Sequence, residues 1–344
     1  MGIFFRFFVE DDIMTPLNRT LCTALVFAPL VFAPLVAGAQ NYPTKPVRVL
    51  LGVAAGGPQD VIARASAQIL GQSLAQQFVV DNRIGADGII AGEACAKAAP
   101  DGYTLCTNDN WAMALNPLTH AKLPYDPLKD LTPVIHYGTL SVAVLARPAL
   151  PQNSMKEVFD TLRAAPGKIS WGSYGVSSAT NLYMEYFKRA KGIEFLNVPY
   201  KSASLTFPAM LAGEIDMAYL AIGLAAQSVK AGKAKALAVV GPTGRSPILP
   251  DVPTWNEAGM ELNIATWFGL FAPVGTPRDV VMRLNGELAK GLFNNPQAKE
   301  KFLTGIGMAV EPPAGGSPEA LGALVTAEHE KLAKLVKLIG IKPE

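Results

Sequence analysis

The sequence predicts an α/β protein of two similar lobes, each a mainly parallel sheet covered by helices. Three observations carry that prediction. Short apolar runs alternate with stretches of helical periodicity along nearly the whole chain. Glycine turns follow two of those runs, at Gly56 and Gly57 and again at Gly172 and Gly175, and each turn leads into a helix. Finally, 344 residues at 50% hydrophobic and 17% charged hold enough apolar material for two modest cores.

The first segment is an export signal by its pattern. From Met14 the chain carries one basic residue, Arg19, then an apolar run over 21–36 interrupted by Pro29 and Pro34, then Ala37-Gly38-Ala39. That order predicts a signal peptide, residues 1–39, cleaved after Ala39. The run is shorter than the roughly 20 apolar residues a membrane span needs. Glu10, Asp11 and Asp12 oppose the positive start that such signals have, which points to Met14 as the true first residue. Cys22 precedes the apolar core, the reverse of lipoprotein order.

In the remainder, 47–53 is a nearly continuous apolar run, as a strand buried on both faces requires. Residues 60–74 place Val61, Ile62, Ala65, Ile69 and Leu70 at helical spacing, and 78–80 resumes a strand. A helix over 89–98, a strand over 103–107, a short helix near 111–116 and strands over 133–137 and 141–146 follow. Ser154 with Glu157 forms a capping box that opens a helix to about residue 164. Strands over 169–174, 194–198, 215–219 and 236–240 then alternate with helices over 177–190, 205–211 and 224–230. After a strand near 267–271, Thr276-Pro277 and Ser317-Pro318-Glu319 read as helix starts, with the hydroxyl residue as cap and proline in the first turn.

Composition removes several classes of function. The formal charge is +2 and the basic residues are scattered, so nothing resembles a nucleic-acid footprint. The three histidines, His120, His136 and His329, form no H-x-x-x-H pair and no Cys/His cluster, so no metal site and no cofactor is expected. Gly172-Ser173-Tyr174-Gly175 is one residue short of a nucleophile elbow, and the glycines near Gly56 fit neither a dinucleotide fingerprint nor a P-loop. Cys95 and Cys106 are the cysteines left after the signal. A bridge between them stays open, although two buried free thiols are the favoured reading, because cysteine behaves as a small core hydrophobe. What remains is binding: glycine turns leading into helices present N–H groups where the helix dipole favours negative charge.

A resemblance sharpens this. Lys45-Pro46-Val47-Arg48, the stretch from Ala54 to Asp60, Asp81-Asn82-Arg83, the stretch from Ala96 to Leu105, and Leu123-Pro124-Tyr125-Asp126-Pro127 resemble the Bug family. These are the TctC-like solute-binding proteins of tripartite tricarboxylate transporters. Val198-Pro199-Tyr200-Lys201, Ala231-Gly232-Lys233, the stretch from Leu249 to Thr254 and the stretch from Trp267 to Pro273 extend the match over the mature chain. The resemblance implies a type II-like periplasmic binding protein fold, a Venus flytrap with lobe one at 42–147 plus 271–344 and lobe two at 148–270. The crossings would fall near Leu145-Ala146-Arg147 and Phe268-Gly269-Leu270.

It also implies an exported, periplasmic, non-enzymatic, monomeric receptor that captures a small organic carboxylate and hands it to membrane transporter subunits. A ligand sensor for a membrane signalling partner is the first alternative, a secreted hydrolase the second. Carried onto this sequence, the ligand-binding residues are Ala54, Ala55, Gly57, Pro58, Asn108, Asn110, Trp111, Ser173, Val176, Ser177, Ser178, Ala179, Tyr200, Ala203 and Tyr219. Asp60 reads as structural and Lys201 as solvent-facing. Trp111, Tyr174, Val176 and Leu220 are larger or more apolar than the family's usual residues, which implies an aromatic or branched hydrophobic carboxylate.

Overall fold

The computed structural model describes residues 42–343 except positions 176, 177, 202, 243 and 263; the expected signal segment lies outside the described residues. The chain opens with β1 (Val47–Leu51), α1 (Pro58–Leu74), β2 (Phe78–Asn82), α2 (Ile89–Ala96) and β3 (Thr104–Asp109). A π-helical turn over Trp111–Leu115 runs into α3 (Asn116–Thr119), and β4 (Leu131–Leu140) follows. Next come β5 (Val142–Ala146), α4 (Met155–Ala164), β6 (Ser170–Ser173), α5 (Ala179–Lys191) and β7 (Leu196–Pro199). After these are α6 (Ala203–Ala212), β8 (Met217–Ala221), α7 (Ile222–Lys230) and β9 (Lys235–Val240). The last stretch holds β10 (Thr266–Pro273), α8 (Arg278–Leu288), α9 (Pro296–Phe302), β11 (Met308–Ala309) and α10 (Pro318–Ile339).

Two sheets result, a six-stranded one in the order β11-β4-β10-β3-β1-β2 and a five-stranded one in the order β7-β6-β8-β5-β9. The expected parallel arrangement occupies β2-β1-β3 in one and β7-β6-β8 in the other. β10 runs antiparallel to β3 and β4, and β5 runs antiparallel to β8 and β9. The two sheets thus share one plan, three parallel strands followed by an antiparallel one.

Local chemistry sets the helix ends. Ser154 Oγ accepts the Glu157 N–H at 3.2 Å while Glu157 Oε2 accepts the Asn153 N–H at 2.8 Å, which is the capping box the sequence predicts. Ser317 Oγ caps α10 through the Ala320 N–H, and Gly340 closes that helix in the left-handed conformation. At α8 the cap moves by one residue: Pro277 is the N-cap, and the Thr276 hydroxyl donates to the Pro273 carbonyl at 2.8 Å.

The cores lie between the sheets and their helices. In sheet one Val49, Leu51, Ile62, Leu70 and Leu105 are fully buried. In sheet two an aromatic cluster of Phe159, Trp171, Tyr183, Phe187, Phe195 and Trp255 fills the corresponding volume, with neighbouring ring centroids 4.9 to 6.3 Å apart.

Two expectations are corrected. Cys95 and Cys106 form a disulfide rather than two free thiols: α2 packs over β3 and brings their Cα atoms to 6.0 Å. The lobe boundaries also move. The chain leaves sheet one at Ser141, between β4 and β5, so β5 belongs to the second sheet and not to a first lobe ending at Arg147. It has returned by Thr266, ahead of the expected crossing at Phe268. At the first changeover the Ser141 N–H donates to the Gly307 carbonyl at 2.9 Å, and its own carbonyl accepts the Ile222 N–H at 3.0 Å.

Candidate functional site

In an α/β sheet the loops at the carboxyl ends of adjacent parallel strands lie side by side, and ligands bind there. Sheet one presents three such loops, after β1 (52–57), after β2 (83–88) and after β3 (110–112). Their backbones touch. A Cβ on Gly52 would stand 2.5 Å from Gly88 Cα, and one on Gly88 would stand 3.9 Å from Ala112 Cβ.

Residues 54–58 form the turn into α1. Gly56 holds φ +91°, a conformation that calls for glycine. Gly57 is different: it caps α1 at φ −80°, where any residue fits, and a Cβ there would meet nothing within 4 Å. Its bareness leaves open space over the helix start. Pro58 has no N–H, so Gln59 and Asp60 supply the first-turn donors that the helix itself does not use. Gln59 Nε2 donates to the Thr107 carbonyl at 2.7 Å and ties this turn to β3.

Asp60 is structural, as the sequence predicts. Its carboxylate accepts the Gly56 N–H at 3.0 Å, Arg64 in two bonds at 2.9 Å and Asn82 Nδ2 at 3.1 Å. Burial alone would raise its pKa; these bonds outweigh that and lower it.

After β3 the predicted residues turn inward. Asn110, fully buried, donates to the Ala265 carbonyl and accepts the Trp267 N–H, both at 3.3 Å, so it joins this loop to the start of β10. Asn108 is buried against the sulfurs of Cys106 and Met113. Trp111 is 7% exposed, and its indole N–H donates to Thr266 Oγ1 at 3.0 Å. That is the setting of a packing residue and gives the aromatic-ligand expectation no support.

Asp109, at the end of β3, is deeply enclosed. Its pKa is pushed up to about 6, by burial first and by the nearby Asp87 carboxylate in addition, against the Ala112 and Trp111 N–H groups that favour its charge.

Sheet two contributes the loops after β6, β7 and β8. Ser173 Oγ donates to Asn197 Oδ1 at 2.6 Å and has no histidine partner, so no activated nucleophile is assembled on it. Ser178 is the N-cap of α5: its hydroxyl accepts the Asn181 N–H and donates to the Gly175 carbonyl at 2.8 Å. Ala179 is buried, Ala203 opens α6, and the Tyr200 N–H donates to the Ser173 carbonyl at 2.8 Å. Lys201 is exposed, as expected. Val176 and Ser177 lie outside the described residues.

Tyr219 near the end of β8 is the most informative of the predicted residues. It is 4% exposed, and its hydroxyl has no hydrogen-bond partner among the described residues. Burial, followed by Tyr183 and Tyr174, pushes its pKa well above the usual range, so it is a neutral donor. A buried hydroxyl left unpaired costs about 1–3 kcal/mol, which a ligand oxygen would recover.

The sequence reading missed the loop after β2. Gly85-Ala86-Asp87-Gly88 holds four consecutive left-handed or positive-φ residues, two of them not glycine. Two glycines flanking two residues directly after a strand was the signal for it. An open groove along α1 and β2, lined by Arg64, Gln68, Gln72, Phe78 and Val80 among others, includes none of these loop residues. Among the described residues no group of three or more His, Cys, Asp or Glu is placed to hold a metal ion, and no helix is long and apolar enough to cross a membrane.

Comparison with known proteins agrees with this geometry. Residues 62–341 match the model of the family described as tripartite tricarboxylate transporter family receptor. A UPF0065 protein from the tcbD-tcbE intergenic region of Pseudomonas sp. (strain P51) is 35% identical over 302 residues, 86% of each chain. A solved periplasmic transporter superposes with a TM-score of 0.80 at 36% identity, covering 88% of this chain and 99% of its own. Rpa4515 from R. palustris, solved with adipate, also gives 0.80, at 32% identity over 88% of this chain and all of its own.

Proposed function

The chain belongs to the tripartite tricarboxylate transporter receptor family, and from that membership we propose that it captures a small organic carboxylate in the periplasm and delivers it to membrane transporter subunits. Two unmet features support the reading: open space in front of the α1 start at Gly57, and the hydroxyl of Tyr219, which has no hydrogen-bond partner among the described residues. First-turn N–H groups hold one carboxylate through charge-assisted bonds without a fixed arginine. The Tyr219 hydroxyl donates to the ligand from the opposite sheet. The receptor acts by binding and closure, without turnover, as a monomer. The two changeovers between sheets, at Ser141 and between β9 and β10, serve as its hinge.

Calorimetry with C4 to C6 carboxylates, paired with small-angle scattering, tests this. Binding accompanied by a smaller radius of gyration is the expected result. Binding with no contraction from an open apo form would remove the hinge, and no binding to any member would remove the carboxylate.

Export is part of the same proposal: the mature chain begins at Gln40, after the Ala37-Gly38-Ala39 site. The Cys95–Cys106 bridge suits an oxidising compartment. Amino-terminal sequencing of the exported protein should return Gln40 first; a product that retains residues 14–39 would refute the cleavage.

A further inference from the structure

The two glycine turns that lead into helices, one on each sheet, are not equivalent. At Gly56 and Gly57 an added Cβ meets nothing within 4 Å. At Gly175, which holds φ +114°, an added Cβ would stand 2.3 Å from Asp87 Oδ1 and 3.1 Å from Asp87 Cγ. The carboxylate of Asp87, carried by sheet one, is therefore pressed against the turn that leads into α5 on sheet two.

That placement is built rather than incidental. Asp87 adopts φ +52°, a left-handed conformation that asparagine and aspartate tolerate best among residues with a side chain. Its carbonyl accepts Asn116 Nδ2 at 3.0 Å, and Asn116 is fully buried, so the strained backbone is held from beneath. The next residue, Gly88, packs against Gly52 at the root of the α1 loop, so Asp87 belongs to the same wall as the open turn. Asp87 is also close enough to Asp109 for the two carboxylates to repel. Its side chain is 24% exposed, with His120 Nε2 3.7 Å from Oδ2.

Resting on the carboxylate-receptor reading above, we infer that Asp87 is a specificity-determining residue that restricts the receptor to ligands with one carboxylate. A first carboxylate has the open α1 start. A second, reaching toward the Gly175 turn, meets a protein carboxylate already there and a further acid behind it. Unlike charges at that end are favoured, neutral ends are accepted, and like charges are rejected.

The test holds chain length fixed and changes only the far end: 6-aminohexanoate, hexanoate and adipate, titrated by calorimetry in one buffer at one fixed pH. The wild-type chain should bind adipate at least about tenfold more weakly than hexanoate, with 6-aminohexanoate no weaker than hexanoate. Asp87→Asn keeps the shape and the left-handed preference, and Asp87→Gly relieves the backbone. In both, the hexanoate-to-adipate ratio should collapse toward one while the hexanoate affinity stays within about threefold. Wild-type protein that binds adipate as well as hexanoate overturns the inference, as does a preference that survives both substitutions. If none of the three acids binds wild type or variants, the receptor reading fails first and takes this inference with it.

Discussion

Replacing Gly57 with leucine is expected to raise the dissociation constant for a carboxylate ligand about 100-fold while leaving the protein folded. The glycine is required neither by its backbone, at φ −80°, nor by any neighbour, since an added Cβ meets open space. Leucine caps a helix less well than glycine, at a cost of about 1 kcal/mol or less. Its side chain, however, fills the volume in front of the Gln59 and Asp60 N–H groups. Losing even one charge-assisted bond removes about 1.5–3 kcal/mol of binding, and 2.7 kcal/mol corresponds to about 100-fold. Calorimetry and thermal melts on Gly57→Leu, with Gly57→Ala as a smaller step, separate the two quantities. Unchanged affinity in Gly57→Leu would show that the α1 start is not the anion seat.

The second large effect concerns acid stability and originates far from the loops. His136 on β4 is 2% exposed, and its ring stands edge-on to Trp267 at 6.0 Å. Burial lowers its pKa to about 4, so the folded chain keeps it neutral through a range in which the unfolded chain protonates it. Because the folded pKa lies below the unfolded one, the stability at stake is present in full above about pH 6.5. It is lost progressively as pH falls from there toward 4, by about 3 kcal/mol in all. Urea titrations at about pH 7 and about pH 4.5 should therefore show the wild-type chain losing about 2.5 kcal/mol more than His136→Phe, which keeps a planar ring and removes the titration. Equal acid losses in the two proteins would place the sensitivity elsewhere.

These two residues mark what the sequence makes legible. Gly57 could be singled out because a strand, a glycine turn and a helix with proline in its first turn are consecutive in the chain. The caps at Ser154 and Ser317 are legible for the same reason, their partners being only three residues away. His136 could not, because its burial depends on Trp267 and on β10, which joins β4 from more than a hundred residues downstream. The Cys95–Cys106 bridge depends on how α2 lies over β3, and the lobe boundary depends on which sheet β5 joins. The candidate site divides along the same line. Gly57 and Tyr219 keep open space or an unpaired group. Asn110, Trp111, Ser173 and Ser178 spend their polar atoms on β10, Asn197 and the α5 cap, contacts that residue type alone does not reveal.

The position of β10 also governs the order in which the chain can be completed. Sheet two is drawn from one continuous stretch, β5 to β9, whereas sheet one places β10 between β3 and β4. A chain emerging amino terminus first can assemble sheet two from neighbouring segments and can pair β1 with β2 and β3, but β4 joins them only through Thr266–Pro273. Until then the first sheet is two fragments with unpaired inner edges, and closing it demands contacts of long sequence separation, which form slowly. The same strand that joins the two parts of sheet one therefore also times the completion of that sheet.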